Sequence, residues 1–424
     1  MKIKEIMNKI FNGRIAAVLV LGFSSGLPLA LSGGTLQAWL TVEGVDIRTI
    51  GLFSLVGLPY TLKFLWAPLM DRFVIPIFGR RRGWIVLCQM VLIGIILGMS
   101  VSSPKNALWL LAILAFFLTF VSASQDIAID AYRAEVLKNR ERGLGAAVSV
   151  TGYRVAMLVS GALALILSEF LGWGATYMLM ALILTLGVLA VWLGPEPEYS
   201  AVPPASMKEA VAGPFAEFFS RSGVWSLLAL IILYKLGDAF AGSLTTTFLI
   251  RGVNFSVGEV GAINKGMGLA ATIIGAIYGG LLMARLRLFN SLLIFGIFQA
   301  VSNLSFMVLA LVGKNYPLMI FTIAFENLSG GMGTAAFVAF LMALCNQRYT
   351  ATQFALLSAL ASLGRVFVGP LSGVLVDEMG WTVFFFSTFL FALPGLILLW
   401  VMKHVVMAIE NETVVSPIVT SDKA

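Results

Sequence analysis

Read for its alternation of apolar and polar positions, the chain is a series of long apolar windows separated by short polar turns. The windows fall at about 15 to 41, 49 to 70, 84 to 102, 107 to 131, 144 to 169, 173 to 193, 224 to 250, 257 to 284, 288 to 312, 316 to 345, 350 to 376 and 381 to 407. Each reaches or approaches the roughly 20 residues that an α-helix needs to cross about 30 Å of hydrocarbon. The expected fold is therefore an all-α integral membrane protein with 12 transmembrane helices. Counted over alternate connections, 19 of the 28 cations fall on one side and four on the other, which predicts a multi-pass protein with both termini cytoplasmic. The other five, Lys63, Arg154, Lys235, Lys265 and Arg365, lie inside windows.

The longest connection, 194 to 223, carries Gly194-Pro-Glu-Pro-Glu-Tyr-Ser-Ala-Val-Pro-Pro204 and an amphipathic patch near Met207 to Phe219. It divides the chain into an N-terminal six-helix bundle (1 to 193), a cytoplasmic linker (194 to 223), a C-terminal six-helix bundle (224 to 407) and a cytoplasmic tail (408 to 424). Thr35-Leu-Gln-Ala-Trp-Leu40 with Gly51 matches Thr245-Thr-Thr-Phe-Leu-Ile250 with Gly261 at an offset of 210, and Arg154-Val matches Arg365-Val at 211. Parallel six-helix repeats of this kind are the pattern of the major facilitator superfamily, two pseudo-symmetric bundles around a midplane site.

Composition agrees with the windows. With 59% hydrophobic and 12% charged residues, there is too little polar side chain to cover a water-soluble globule, so apolar side chains face lipid. The net charge of +7 reads as a topology signal and gives no reason to expect nucleic acid. Two isolated cysteines, Cys88 and Cys345, and one histidine, His404, predict no metal site, no disulfide framework and no cofactor. The start, Met1-Lys-Ile-Lys-Glu-Ile-Met-Asn-Lys-Ile10, is basic and amphipathic without a small-residue cleavage site, as for a retained cytoplasmic end.

Charge inside a membrane is costly, about 2.5 to 3.5 kcal/mol for one group at a helix centre, so buried ionisable residues are the candidates for function. Asp126 and Asp130 share a helix face four residues apart; they are candidates to carry a proton, or helix-end acids answering Arg133, Arg140 or Arg142. Arg154 and Arg365 fall near midplane, where two guanidinium groups could grip a carboxylate or phosphate, or pair with an acid such as Asp126 or Glu326. Lys235 and Asp238 are spaced to neutralise each other. Lys265 follows Asn264 among glycines in Gly261-Ala-Ile-Asn-Lys-Gly-Met-Gly268, a candidate cavity wall. Glu326 opens the polar mid-helix stretch Glu326-Asn-Leu-Ser-Gly-Gly-Met-Gly333 and is a second proton candidate, with packing the simpler account of its glycines. Gln37, Trp39, Tyr60, Lys63, Gln125 and Asn327 complete a candidate substrate-binding set, against the simpler roles of packing or interface belt for the aromatics. Asp71-Arg72 with Gly79-Arg-Arg-Arg82 is a candidate charge latch between helix ends, formed by Asp71, Arg72, Arg80 and Arg81, or else a topology cluster.

Long motifs carry a more specific likeness. Ser25-Gly-Leu-Pro-Leu-Ala-Leu-Ser32, Lys63-Phe-Leu-Trp-Ala-Pro-Leu-Met-Asp-Arg72, Ser122-Ala-Ser-Gln-Asp126, Leu233-Tyr-Lys-Leu-Gly-Asp-Ala-Phe240 and Ala351-Thr-Gln-Phe-Ala-Leu-Leu-Ser358 resemble those of the AmpG muropeptide permeases. The resemblance runs from about residue 14 to 400. It implies proton-driven import of anhydromuropeptides, N-acetylglucosamine joined to 1,6-anhydro-N-acetylmuramic acid with or without a stem peptide. It also implies an inner-membrane location, a part in peptidoglycan recycling and an indirect part in β-lactamase induction. Many members carry two further C-terminal helices; here the last window ends near Met407 and a polar tail, Glu410 to Ala424, follows.

The expectation is a monomeric, proton-coupled secondary transporter of a small sugar-peptide, working by alternating access. A carrier of the same fold for acetyl-coenzyme A, a siderophore or a peptide antibiotic is the alternative. A membrane enzyme using Asp126 and Asp130 lacks an accompanying nucleophile, metal or phosphate-binding motif, and a receptor has no evident need for so many interior charges.

Overall fold

The computed structural model describes residues 13–67, 70, 73, 75, 79–137, 142–195, 219, 220, 223–283, 285–344 and 350–415, and among these there is helix but no strand. In chain order the helices are α1 (Gly13–Ser32), α2 (Gly34–Val42), α3 (Ile47–Leu52), α4 (Leu58–Leu62), α5 (Arg80–Ser100), α6 (Pro104–Val136), α7 (Arg142–Met157) and α8 (Ala164–Leu193). They continue with α9 (Val224–Tyr234), α10 (Leu236–Ser243), α11 (Val257–Val260), α12 (Gly268–Met283), α13 (Leu288–Val312), α14 (Tyr316–Ala343), α15 (Thr350–Val401) and α16 (Lys403–Val415).

Eight helical stretches among the described residues are long and apolar enough to cross a membrane. Two of them, Val148–Leu193 and Leu356–Val401, have 46 residues each, twice what one crossing takes. Each is broken by a glycine with positive φ, 76° at Gly172 and 74° at Gly380, a conformation that side chains with a Cβ resist. These breaks fall where the sequence places the turns between 169 and 173 and between 376 and 381. The expected windows at 49 to 70 and 316 to 345 hold the interrupted series α3, a 3₁₀ turn (Phe53–Gly57) and α4, and the continuous α14.

Several windows read as single helices are interrupted. Window 224 to 250 is broken at Lys235 and Leu244, and π-helical turns occupy Leu158–Leu163, Phe248–Gly252 and Gly261–Met267. Helix also runs beyond Met407, since α16 reaches Val415 where a polar tail is expected.

The chain divides into two compact units. The first holds residues 1–46, 53–205 and 256–266; the second holds 47–52, 206–255 and 267–424. In the first, α1 lies directly on α7: a Cβ at Gly22 or Gly26 would collide with the carbonyls of Ser149 or Tyr153. In lipid, where no hydrophobic effect drives helices together, such close backbone approach supplies the dispersion contacts that hold them. Ile15, Val18, Ile85, Ile129, Tyr132 and Val191 form an apolar cluster in the same unit. In the second unit, Tyr234 stacks on Phe337 at 5.4 Å within a cluster that includes Leu227, Phe289 and Phe340. Trp109, Trp192, Trp225 and Trp400 are strongly exposed, as suits indoles at a membrane interface.

Candidate functional site

Among the described residues, each unit carries a polar cluster inside its apolar body. In the first unit α6 carries Asp126, half-buried, with its carboxylate 3.8 Å from the Lys63 ammonium. Lys63 stands in the 3₁₀ turn Lys63–Leu65 that follows α4, so the helix break is what aims it at α6. The Ser25 hydroxyl of α1 donates to the other carboxylate oxygen. The lysine side of this pair is more than a third exposed, so the contact is a modest one that exists only while the carboxyl is ionised.

Around this pair lie hydrogen-bonding groups with spare capacity. Gln125 donates from Nε2 to the Ser24 carbonyl at 3.1 Å, while its Oε1 is buried and unpaired among the described residues. Tyr60 Oη and Ser122 Oγ are likewise buried without a well-formed hydrogen bond, and Tyr60 and Tyr153 stand close enough to interact with the Asp126 charge. An unmet buried polar group costs about 1 to 3 kcal/mol, so a cluster of them is where a hydroxyl-rich molecule gains most.

In the second unit a cavity of about 230 Å³ is lined by Lys235, Asp238, Ser243, Glu326 and Arg365, together with small residues. Lys235 sits in the break between α9 and α10, 3.4 Å from Asp238 and 3.4 Å from the Thr334 hydroxyl. Gln299 of α13 donates to the same Asp238 oxygen at 3.2 Å. Asn327 donates to its neighbour Glu326 and accepts from Thr272 at 2.9 Å, which fixes the acid relative to α12. The cavity wall thus offers two cationic and two anionic groups, suited to a ligand bearing both signs.

The remaining sequence candidates fall elsewhere. Asp130 is exposed and forms an ion pair with Arg133 at 3.0 Å, the helix-end arrangement weighed as its alternative. Trp39 is buried, stacked on Trp173 at 5.8 Å, with Gln37 half-buried on the same α2. Arg154 is exposed on α7. Asn264 and Lys265 belong to the first unit, where the π turn Gly261–Met267 sets Lys265 beside Gly161; Asn264 Nδ2 is buried and unpaired among the described residues. Of the latch candidates, Asp71 and Arg72 and the Arg80 side chain lie outside the described residues. Arg81 makes a nearly buried ion pair with Glu135 of α6, both contacts at 2.9 Å. Sequence reasoning missed Ser25, Glu135, Gln299 and Thr334. Only Gln299 carried a signal, as an isolated amide within an apolar window.

Comparison with known proteins gives this architecture its relatives. Residues 18–315 match the Major Facilitator Superfamily. The anhydromuropeptide permease of Escherichia coli K12 is 55% identical over 392 residues, covering 92% of this chain and 80% of its own length. The chain belongs to the anhydromuropeptide permease family of the major facilitator superfamily. A Rickettsia felis protein named as transporter AmpG 4 is 35% identical over 405 residues, covering 93% of this chain and 98% of its own. Among solved structures, a bacterial homolog of the lysosomal transporter Spinster aligns with TM-score 0.73 at 13% identity, covering 94% of this chain and 99% of that one. The POT family transporter PepTSo aligns with TM-score 0.72 at 10% identity, covering 94% of this chain and 98% of that one. These two share the fold. Membership of this family makes the protein a multi-pass membrane transporter of a small molecule, not an enzyme, and corroborates the motif resemblance.

Proposed function

We propose that the protein imports anhydromuropeptides across the inner membrane, with both termini in the cytoplasm, as a proton-coupled monomer working by alternating access. The observation that carries the substrate is the 55% identity to the Escherichia coli anhydromuropeptide permease across 92% of the chain. In this reading the Asp126–Lys63 pair is the proton-responsive element, with Glu326 and Asp238 in secondary roles. A proton on Asp126 lowers the cost of closing the carrier around its cargo, and its loss to the cytoplasm resets the cycle. The buried oxygens of Tyr60, Ser122 and Gln125 bind sugar hydroxyls, and Arg365 and Lys235 bind carboxylates of the stem peptide while Asp238 and Glu326 answer its amines. The linker at 194–223 joins two bundles that move against each other.

Uptake of labelled anhydrodisaccharide-tripeptide into vesicles, with unlabelled coenzyme A ester or siderophore as competitor, tests the substrate. Competition by anhydrodisaccharide alone supports the reading; competition by a coenzyme A ester would replace it.

A further inference from the structure

The cavity of the second unit is lined by that unit's own residues, and its four charged side chains are not equally engaged. Lys235 spends its ammonium on Asp238 and on the Thr334 hydroxyl, each at 3.4 Å. Glu326 accepts from the Asn327 amide. Arg365, exposed on α15, makes no hydrogen bond or ion pair among the described residues. Asp238 is divided between its two oxygens. Lys235 at 3.4 Å and Gln299 at 3.2 Å both donate to Oδ2, and among the described residues Oδ1 accepts no hydrogen bond. One carboxylate oxygen and one guanidinium are therefore left to a ligand.

The orientation of Asp238 is set from α13 and α14. Gln299 is buried, 5% exposed, and its amide reaches Oδ2 only because α14 carries a glycine at 333, where a Cβ would collide with the Gln299 carboxamide oxygen. Lys235 is a point charge on a flexible stem and can leave Asp238 for another anion, whereas the buried amide holds the carboxyl in place when it does. The volume, about 230 Å³, is below the roughly 300 to 1,000 Å³ of pockets that enclose a whole drug-sized ligand, so the cavity suits one end of a larger cargo. Lys235 and Arg365 balance Asp238 and Glu326. A ligand end carrying one charge alone would leave an uncompensated charge in a poorly solvated site, and an end carrying both signs would not.

We propose that Arg365 and the open oxygen of Asp238 form a receptor for one amino-acid zwitterion on the cargo's peptide, an ammonium and a carboxylate borne on a single carbon, and that Gln299 is the positioning residue that keeps the Asp238 oxygen turned to the cavity. The inference rests on the sugar-peptide reading of the cargo and narrows which part of the peptide this cavity reads. The guanidinium takes the ligand carboxylate through paired N–H donors, and Asp238 Oδ1 accepts from the ligand ammonium. Gln299 touches no ligand; it acts through Asp238.

The test is uptake, by the full chain in sealed vesicles, of three anhydrodisaccharide-peptides that differ only in the last residue. Diaminopimelate bears both groups on its outer carbon, lysine lacks that carboxylate, and aminopimelate lacks that ammonium. In the native chain the KM of the diaminopimelate form is expected to lie about ten-fold below that of either other form. Arg365→Gln is expected to bring the diaminopimelate and lysine forms within about two-fold of each other, and Asp238→Asn to do so for the diaminopimelate and aminopimelate forms. Gln299→Met, which keeps the volume and removes the amide, is expected to cut the ammonium preference, the ratio of aminopimelate to diaminopimelate KM, at least about three-fold, with the carboxylate preference held within about two-fold. Gly333→Ala, which displaces the amide with Gln299 still present, is expected to do the same and to add nothing in a Gln299→Ala background; it replaces Gln299→Met if that variant fails to accumulate. Native KM values within about two-fold of one another for all three forms overturn the receptor, and an ammonium preference unchanged in Gln299→Met or Gly333→Ala overturns the positioning role. No uptake of any of the three forms by the native chain would instead overturn the transport reading.

Discussion

The Arg81–Glu135 pair offers a quantitative test of how the first unit is fastened. The two side chains are 8% and 11% exposed and meet at 2.9 Å. At an effective dielectric near 20, that separation corresponds to an attraction of about 6 kcal/mol before desolvation is subtracted. Removing one partner leaves the other's charge less compensated in a nearly dry site, which costs up to about 3 to 5 kcal/mol, whereas replacing both by apolar groups of similar volume is often close to neutral. Glu135→Ala and Arg81→Met should therefore each lower the melting temperature of the detergent-purified protein by several degrees. The double variant Arg81→Met/Glu135→Leu should recover most of the loss, a coupling of about 3 kcal/mol in a double-mutant cycle. A coupling below about 0.5 kcal/mol would refute this reasoning. The double variant also separates fastening from gating. If it is stable and transports normally, the pair joins α5 to α6 throughout the cycle; if it is stable and inactive, the pair is a working latch.

Other expectations follow from single contacts. Asp126→Asn should abolish accumulation driven by a pH gradient while leaving substrate exchange within about three-fold of the native rate; full pH-driven accumulation in this variant would reject Asp126 as the proton carrier. Lys63→Met, which removes the partner 3.8 Å from Asp126, should cut driven uptake at least about ten-fold, and unaltered uptake would make the pair a bystander. Arg365→Gln should raise the KM for peptide-bearing substrate by about ten-fold or more and leave the KM for the bare anhydrodisaccharide within two-fold, checked by paired uptake curves. Trp39→Ala, which empties the stack on Trp173, should destabilise the protein by about 3 to 5 kcal/mol, read as lost membrane abundance and a lower melting temperature.

The fold was legible because hydrocarbon imposes its thickness on the sequence: the apolar windows and the helix turns at Gly172 and Gly380 coincide. The interruptions inside windows were not. No residue type marks the π turns at Leu158–Leu163 and Gly261–Met267, which arise from packing against neighbours, and without them the placement of Lys265 cannot be foreseen. For Asp126 the sequence identified the acid but not its partner. Arg133, Arg140, Arg142 and Arg154 were nearer in the chain than Lys63, yet the 3₁₀ turn after α4 delivers the lysine. Asp130 illustrates the opposite case, since its position one helical turn nearer the end of α6 lets Arg133 answer it locally at 3.0 Å. The repeat was visible as matched glycines, but that a Cβ at Gly51 would meet the Gly369 carbonyl and one at Gly261 the Ala162 carbonyl required the tertiary structure.

The claim on which the account depends is that a proton gradient drives a muropeptide through this chain. Purified protein in sealed vesicles, given labelled anhydromuropeptide with and without an imposed pH gradient, tests it most directly. Uphill accumulation that appears with the gradient, collapses with a protonophore and is lost in Asp126→Asn is the result the account predicts. Equal uptake with and without the gradient, or no uptake of anhydromuropeptide by a folded protein, would contradict it.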